Sequence, residues 1–124
     1  MIRQGGGGSG IFYHNSNLGF VDVRDGSSQT VFVGERNSKL GYSTWVGVVH
    51  GVKYAIPRIV GSTARTPNRP DAQFEDFSSH HPGTTQFLFG DGAVRPIADE
   101  IDGRAYHALG TRQGNEVIGG GVFQ

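Results

Sequence analysis

The pair Asp91-Gly92 stands between two short apolar segments and is the strongest local constraint on the fold. An Asp-Gly pair in this setting is typical of a β-hairpin, because both central positions of a type I′ turn need positive φ. The sequence therefore predicts strands near Gln86–Gly90 and Ala93–Ile97 joined by a tight turn. Pro96 has no N–H to donate, so the second strand is predicted to be short or to lie at a sheet edge.

The many glycine residues indicate that tight turns occur along the whole chain. The 124 residues include 21 glycines and 5 prolines, and hydrophobic residues make up only 35%. Frequent turn residues favour short strands over a helical bundle. We therefore predict a β-rich α+β domain with an antiparallel sheet of about five to seven short strands. Further strands are predicted within the segments 10–17, 29–35, 42–56 and 115–124, and in the second of these Val31 and Val33 are predicted to share one face.

One short helix is predicted near the C-terminal end, in the segment DEIDGRAYHALGTR. Asp102 can cap its start and Gly110 can end it. Its apolar side is formed by Ala105, Tyr106, Ala108 and Leu109. The polar segment 61–72, with two prolines, is predicted to be a loop. Residues 1–10 are predicted to be a flexible glycine-rich lead, and residues 11–124 a single domain.

Charge and composition exclude several classes of protein. Eleven basic residues balance eleven acidic ones without a run of like charge, so the basic stripe of a nucleic-acid-binding protein is missing. The chain has no cysteine, which excludes disulfides, thiolate zinc sites and cysteine nucleophiles. No apolar run approaches the roughly 20 residues needed to cross a bilayer, and the start does not resemble a signal peptide.

Two candidate chemistries remain as alternatives. Asp22 and Asp25, with Ser27, could bring oxygen ligands from one turn to a calcium ion, although the EF-hand pattern is absent. His81 with Asp91 could serve a histidine-dependent hydrolase, although no nucleophile-elbow motif occurs. His80 and His81 are adjacent, so in an extended strand they point to opposite faces and cannot easily bind one metal ion together. No cofactor is expected apart from this calcium alternative.

Three segments, in order, resemble one known family. They are DVRDGSSQTVFVGER, FSSHHPGTTQFLFGDGAVRPI and IDGRAYHALGTRQGNEVI. Together they resemble the carboxy-terminal part of the DUF1559 family of planctomycete-type, prepilin-like proteins, which are similar to type II secretion pseudopilins. The resemblance implies the following fold-signature residues: Asp25, Gly26, Gly34, Glu35, His81, Pro82, Gly83, Asp91, Gly92, Arg112 and Glu116.

The same resemblance implies a function. It implies a non-enzymatic structural module, the exposed domain of an exported pseudopilin- or pilus-like protein at the cell surface or outside the cell. Its expected partners are other protein subunits, in a homo-oligomer or filament, with no nucleic acid and no membrane span. The alternatives are a calcium-dependent surface binding module and a histidine-dependent hydrolase.

Overall fold

The computed structural model describes residues 10–13, 17–42, 51 and 60–112. This part of the chain forms a small α+β, β-rich fold, as predicted, with strands β1 (Val31–Gly34), β2 (Thr84–Phe89) and β3 (Val94–Ala98) and helix α1 (Gly103–Leu109). The strands make an antiparallel sheet in the order β1-β2-β3. Two 3-10 turns, Phe20–Asp22 and Ser38–Leu40, flank β1. None of the helices in the described ranges is long and apolar enough to cross a membrane.

Several predicted strands cannot be compared with this sheet. Residues 1–9, 14–16, 43–50, 52–59 and 113–124 lie outside the described residues. They include most of the predicted lead, part of the segment 10–17, most of the segment 42–56, and all of the segment 115–124 with Glu116. Residues 11–13 are described, and they are not part of a strand, contrary to prediction.

The β2–β3 hairpin is confirmed, but its turn differs from the predicted type I′ turn. The N–H of Gly92 donates to the carbonyl of Phe89 at 3.0 Å, and the N–H of Phe89 donates to the carbonyl of Ala93 at 2.9 Å. Gly92 has φ 86°, whereas Asp91 has no positive φ. A three-residue loop that ends in a glycine of positive φ explains this, because only its last position needs the left-handed backbone.

A bulge in β1 overturns the prediction that Val31 and Val33 share a face. Val31 pairs with Phe89 and Val33 pairs with Leu88, so two steps along β1 match one step along β2. One extra residue in a strand reverses the faces of the residues that follow it. Val31 is therefore 7% exposed and belongs to the core, whereas Val33 is 54% exposed.

The core lies on one face of the sheet, under α1. The ring of Phe87 packs edge-to-face against Phe77 and Tyr106, with centroid distances of 5.1 and 6.0 Å. Asp102 caps α1 as predicted, because its side chain accepts from the N–H groups of Arg104 and Ala105. Tyr106, Ala108 and Leu109 are buried, and Gly110 is the C-terminal cap. The core cluster comprises Val31, Phe87, Phe89, Ile97, Tyr106 and Leu109.

The segment 61–79 crosses beside this core as a loop held at two points. The N–H of Ser62 donates to the carbonyl of Glu75 at 2.7 Å, next to an isolated parallel bridge between Ser62 and Asp76. Asn68, with φ 56°, donates from Nδ2 to Oδ1 of Asp99 and accepts from the N–H of Ser79, both at 2.8 Å. Nδ2 of Asn68 also donates to the carbonyl of Thr84 at 3.4 Å, so the loop is fixed to both the start of β2 and the end of β3.

Distant parts of the sequence meet at Arg112. Its Nη1 donates to the carbonyl of Gly10 at 2.7 Å, and its guanidinium lies 5.6 Å from the ring centroid of Tyr13. Its carbonyl accepts from the N–H of Asp25 at 3.0 Å. These contacts, together with the bond from the Thr111 hydroxyl to Oδ2 of Asp25 at 3.2 Å, are called the Arg112 clasp below.

Candidate functional site

The side chain of Asp91 makes its hydrogen bonds within the β2–β3 hairpin. Its Oδ1 accepts from the N–H of Ala93 and its Oδ2 accepts from Nη2 of Arg95, both at 2.9 Å. These two donors, the N–H of Ala93 first, hold the pKa of Asp91 below its ordinary value. Arg95 in turn donates to the carbonyl of Ser28 and lies 4.6 Å above the ring centroid of Phe89. Asp91 thus orients a cation that covers one end of the core.

His81 lies at the opposite end of β2 from Asp91. Its Nε2 is 3.5 Å from Oε1 of Glu35, whose Oε2 accepts from the N–H of Gln86 at 2.8 Å. His81 precedes β2 and Asp91 follows it, and the six residues of the strand span roughly 20 Å at about 3.3 Å per residue. The side chain of His81 contacts Glu35, whereas that of Asp91 contacts Arg95. The structure therefore does not bring together the pair that a histidine-dependent hydrolase would use.

The serine nearest to His81 is committed to the turn before β2. The hydroxyl of Ser79 donates to the carbonyls of Thr84 and His81, and accepts from the N–H of His81. Gly83, with φ 76°, directly precedes β2 and follows Pro82, so this pair turns the chain into the strand. The environment of Ser79 is that of a turn residue.

The candidate calcium ligands have different hydrogen-bond partners. Oδ2 of Asp22 accepts from the N–H of Gly19 at 2.8 Å, which closes the Phe20–Asp22 turn. Oδ2 of Asp25 accepts from the hydroxyl of Thr111, in the Arg112 clasp. Ser27 meets the hairpin instead, because its carbonyl accepts from the N–H of Asp91. Within the ranges that the structure describes, no three His, Cys, Asp or Glu side chains are grouped so as to hold a metal ion.

A buried carboxylate that sequence reasoning missed lies in the 61–79 loop. The side chain of Asp76 is 2% exposed, and its Oδ2 accepts from Nη2 of Arg65 and from the N–H of Gln73, both at 2.9 Å. Burial raises the pKa of Asp76, while the Gln73 N–H and the Arg65 guanidinium act in the opposite direction. Burial lowers the pKa of nearby Arg36, and Glu75 and Asp76 oppose that shift. In the sequence, the position of Asp76 between the apolar residues Phe74 and Phe77 was the feature that could have indicated its burial.

Tyr106 gives a prediction about alkaline pH. Burial, and then the charge of Asp76, raise the pKa of its phenol well above the ordinary 10. The folded protein keeps this proton while the unfolded chain loses it above about pH 10, so stability falls as pH rises, by up to about 1.4 kcal/mol per pH unit. We expect urea unfolding between pH 9 and 11.5 to show a smaller decline in Tyr106→Phe. Tyr42→Phe, which alters an exposed tyrosine, should decline like the wild type, and equal declines in all three would contradict this assignment.

The outer face of the sheet, opposite the core, carries an apolar row. Val33, Leu88 and Val94 are cross-strand neighbours on β1, β2 and β3. Val33 is 54% and Val94 64% exposed, and Leu88 is half-buried between them. We call these three residues the outer row.

A second exposed apolar group lies beside β1. Phe32 contacts Phe20 in a stacked arrangement and Phe12 edge-on, with centroid distances of 6.1 and 6.2 Å. Phe20 and its neighbour Val21 are both largely exposed. Surface aromatics grouped in this way are typical of contact surfaces, whereas single exposed apolar residues are ordinary.

Comparison with known proteins gives one match. A family model described as "Protein of unknown function (DUF1559)" matches residues 3–104. No curated protein and no solved structure matches the chain.

Proposed function

Since the chain belongs to the DUF1559 family, we propose that it is a non-enzymatic assembly module that associates with copies of itself. In this proposal it is the exposed domain of an exported pseudopilin- or pilus-like protein. The description of the family assigns no activity, so the proposal rests on the surface of the domain. The observation that carries it is the outer row.

The outer row departs from the usual pattern of an antiparallel sheet. Such a sheet commonly packs one face on the core and turns a polar face to water, so apolar and polar residues alternate. Here Val33 and Val94 are exposed on the outer face and are joined through Leu88. A continuous apolar strip of this kind is stabilised when another surface covers it.

The edge of β3 is poorly suited to pairing with another strand. This favours the outer face of the sheet as the contact surface. The N–H of Phe89 bonds to the carbonyl of Ala93, and hydrogen-bonded pairs alternate along an antiparallel ladder. By this alternation the pair Gln86–Pro96 is not hydrogen-bonded, so the nitrogen of Pro96 faces away from β2. An added strand would meet a missing donor there. We therefore propose association through the outer face of the sheet.

The charges near the outer row favour a second copy as its partner. Asp91 pairs with Arg95, and Oε2 of Glu35 accepts from the N–H of Gln86, so both carboxylates already have partners within the same copy. The whole chain carries eleven basic and eleven acidic residues. Identical copies therefore meet without the self-repulsion of a strongly charged surface.

The proposal predicts association that depends on concentration. We expect light scattering of the separated protein to show a mass that rises with concentration, and Val94→Lys to weaken association about tenfold, a loss of ~1.4 kcal/mol. Because Val94 is exposed, the variant should keep the thermal stability of the wild type. Ala64→Lys is the matched control, since Ala64 is exposed in the 61–79 loop, outside the sheet and away from both apolar groups. A wild-type protein that stays monomeric at every concentration would refute the assembly function.

The exported setting is supported by the resemblance of the three segments alone. Fractionation of the source cells tests it, with an antibody against this domain and a cytoplasmic marker. We expect the protein in the surface or extracellular fraction, and recovery with the cytoplasmic marker would contradict that part of the proposal.

A further inference from the structure

Three buried polar atoms come from three different parts of the fold. They are Nε of Arg65 in the 61–79 loop, Oγ1 of Thr85 on β2 and Oη of Tyr106 on α1. Among the residues that the structure describes, none of these atoms has a hydrogen-bond partner. Thr85 and Tyr106 are fully buried. Buried polar atoms without partners are rare, and an internal water molecule is a common reason for them.

Arg65, which carries one of these atoms, is the ion-pair partner of Asp76. Nη2 of Arg65 is 2.9 Å from Oδ2 of Asp76. Ser62 forms the bridge to Asp76, and the hydroxyl of the next residue, Thr63, donates to the carbonyl of His107 on α1 at 3.4 Å. The helix is therefore attached directly to the segment that faces Asp76.

Tyr106 on α1 and Thr85 on β2 are connected to the segment of Asp76 through the ring of Phe87. The Tyr106 ring packs against Phe87, which lies on the same face of β2 as Thr85. Phe77, the residue after Asp76, packs against the same Phe87 ring with a centroid distance of 5.1 Å. Thr85, Tyr106 and the segment of Asp76 therefore lie on the same side of the sheet. This part of the core is called the polar region below.

The donors and acceptors of this region match those of a water molecule. The Tyr106 and Thr85 hydroxyls and the Arg65 Nε–H can each donate, and the hydroxyls can also accept. The contacts that Asp76 makes to Arg65 and Gln73 use Oδ2, so lone pairs of Oδ1 can accept from a water. A buried water commonly makes about three hydrogen bonds.

We propose that an ordered water molecule binds in this region and bridges the Tyr106 hydroxyl to Asp76, with Arg65 or Thr85 as its third partner. The water completes the hydrogen bonding of groups that no side chain reaches. It also links α1 to the 61–79 loop through a polar contact in addition to the packing of Tyr106 on Phe87.

A crystal structure of the full chain, at a resolution that shows ordered water, tests the site together with thermal unfolding of Tyr106→Phe. We expect water density within about 3 Å of the Tyr106 Oη in the wild type and its loss in the variant. The variant removes a satisfied buried hydroxyl, so its Tm should fall by about 4 °C.

Tyr42→Phe is the control, because it makes the same chemical change at an exposed tyrosine and should leave Tm unchanged. A dry site in the wild-type crystal would overturn the proposal. So would a Tyr106→Phe variant that is at least as stable as the wild type, because removal of an unsatisfied hydroxyl is neutral or stabilising.

Discussion

Replacement of Asp76 with alanine is expected to lower the free energy of unfolding by about 3 kcal/mol. The carboxylate is almost fully buried, and its removal leaves the N–H of Gln73 without its acceptor and Arg65 without its buried carboxylate partner. The expected loss is at the low end for a broken buried ion pair, because the Arg65 side chain is 30% exposed and also approaches Asp71 at 3.6 Å. Urea unfolding at neutral pH measures this effect.

Asp71→Ala is the matched control for this substitution. Asp71 also contacts Arg65, and it pairs with Arg69 at 2.8 Å, but its side chain is 61% exposed. Exposed ion pairs contribute little, so we expect a loss below about 1 kcal/mol. Equal losses in the two variants would show that the burial of Asp76 does not matter to its contribution.

The pH dependence of the same residue has a definite sign. Burial raises the pKa of Asp76, so the folded protein takes up this proton at a higher pH than the unfolded chain does. Acidification through the raised pKa therefore favours the folded state at this group, and that contribution is lost as pH rises. Asp76→Asn lacks the titration, so its stability relative to the wild type should decrease as pH falls from 7 towards 4.

Gly34→Ala is expected to lower the free energy of unfolding by about 3 kcal/mol, the upper end for overpacking a core. A Cβ at Gly34 would lie 2.5 Å from the Phe87 ring and 2.6 Å from the Phe77 ring. Phe87 is fully buried and packs against Tyr106, so it cannot move without disturbing α1. Gly34 has no positive φ, so the effect is steric and does not come from backbone strain.

Gly103→Ala provides the comparison for that variant. Nothing lies within 4 Å of a Cβ at Gly103, the first residue of α1. Alanine is the better helix former, so stability should stay the same or rise by up to about 1 kcal/mol. Thermal or urea unfolding of both variants measures the difference, and a Gly34→Ala protein as stable as the wild type would contradict the described packing of the two rings.

Local signals in the sequence were sufficient for the elements that depend on neighbouring residues. Asp102 and Gly110 mark the ends of α1, and Asp91-Gly92 marks the hairpin, because caps and turns are formed by residues a few positions apart. Pro96 has no N–H to donate, and in the described sheet its strand β3 lies at the edge, which is one of the two outcomes predicted. The α+β fold class could therefore be predicted from these signals and the many glycines.

Features that depend on distant residues could not be predicted in this way. The bulge that turns Val33 outward depends on the pairing of β1 with β2, far along the chain. The burial of Asp76 depends on Arg65 and on the position of α1. The distance between His81 and Asp91 depends on the length of a strand whose ends were known only approximately.

The Arg112 clasp has a consequence for the order of folding. It joins Arg112 to Gly10, 102 positions apart, whereas the β2–β3 hairpin pairs residues that are close in sequence. Closure of a long loop costs more conformational entropy, so contacts close in sequence form more readily in the transition state. We therefore expect the hairpin to form early and the clasp to form late. Substitutions in the Arg112 clasp should then act mainly by speeding unfolding. The clasp would therefore determine how long the folded state lasts before it unfolds.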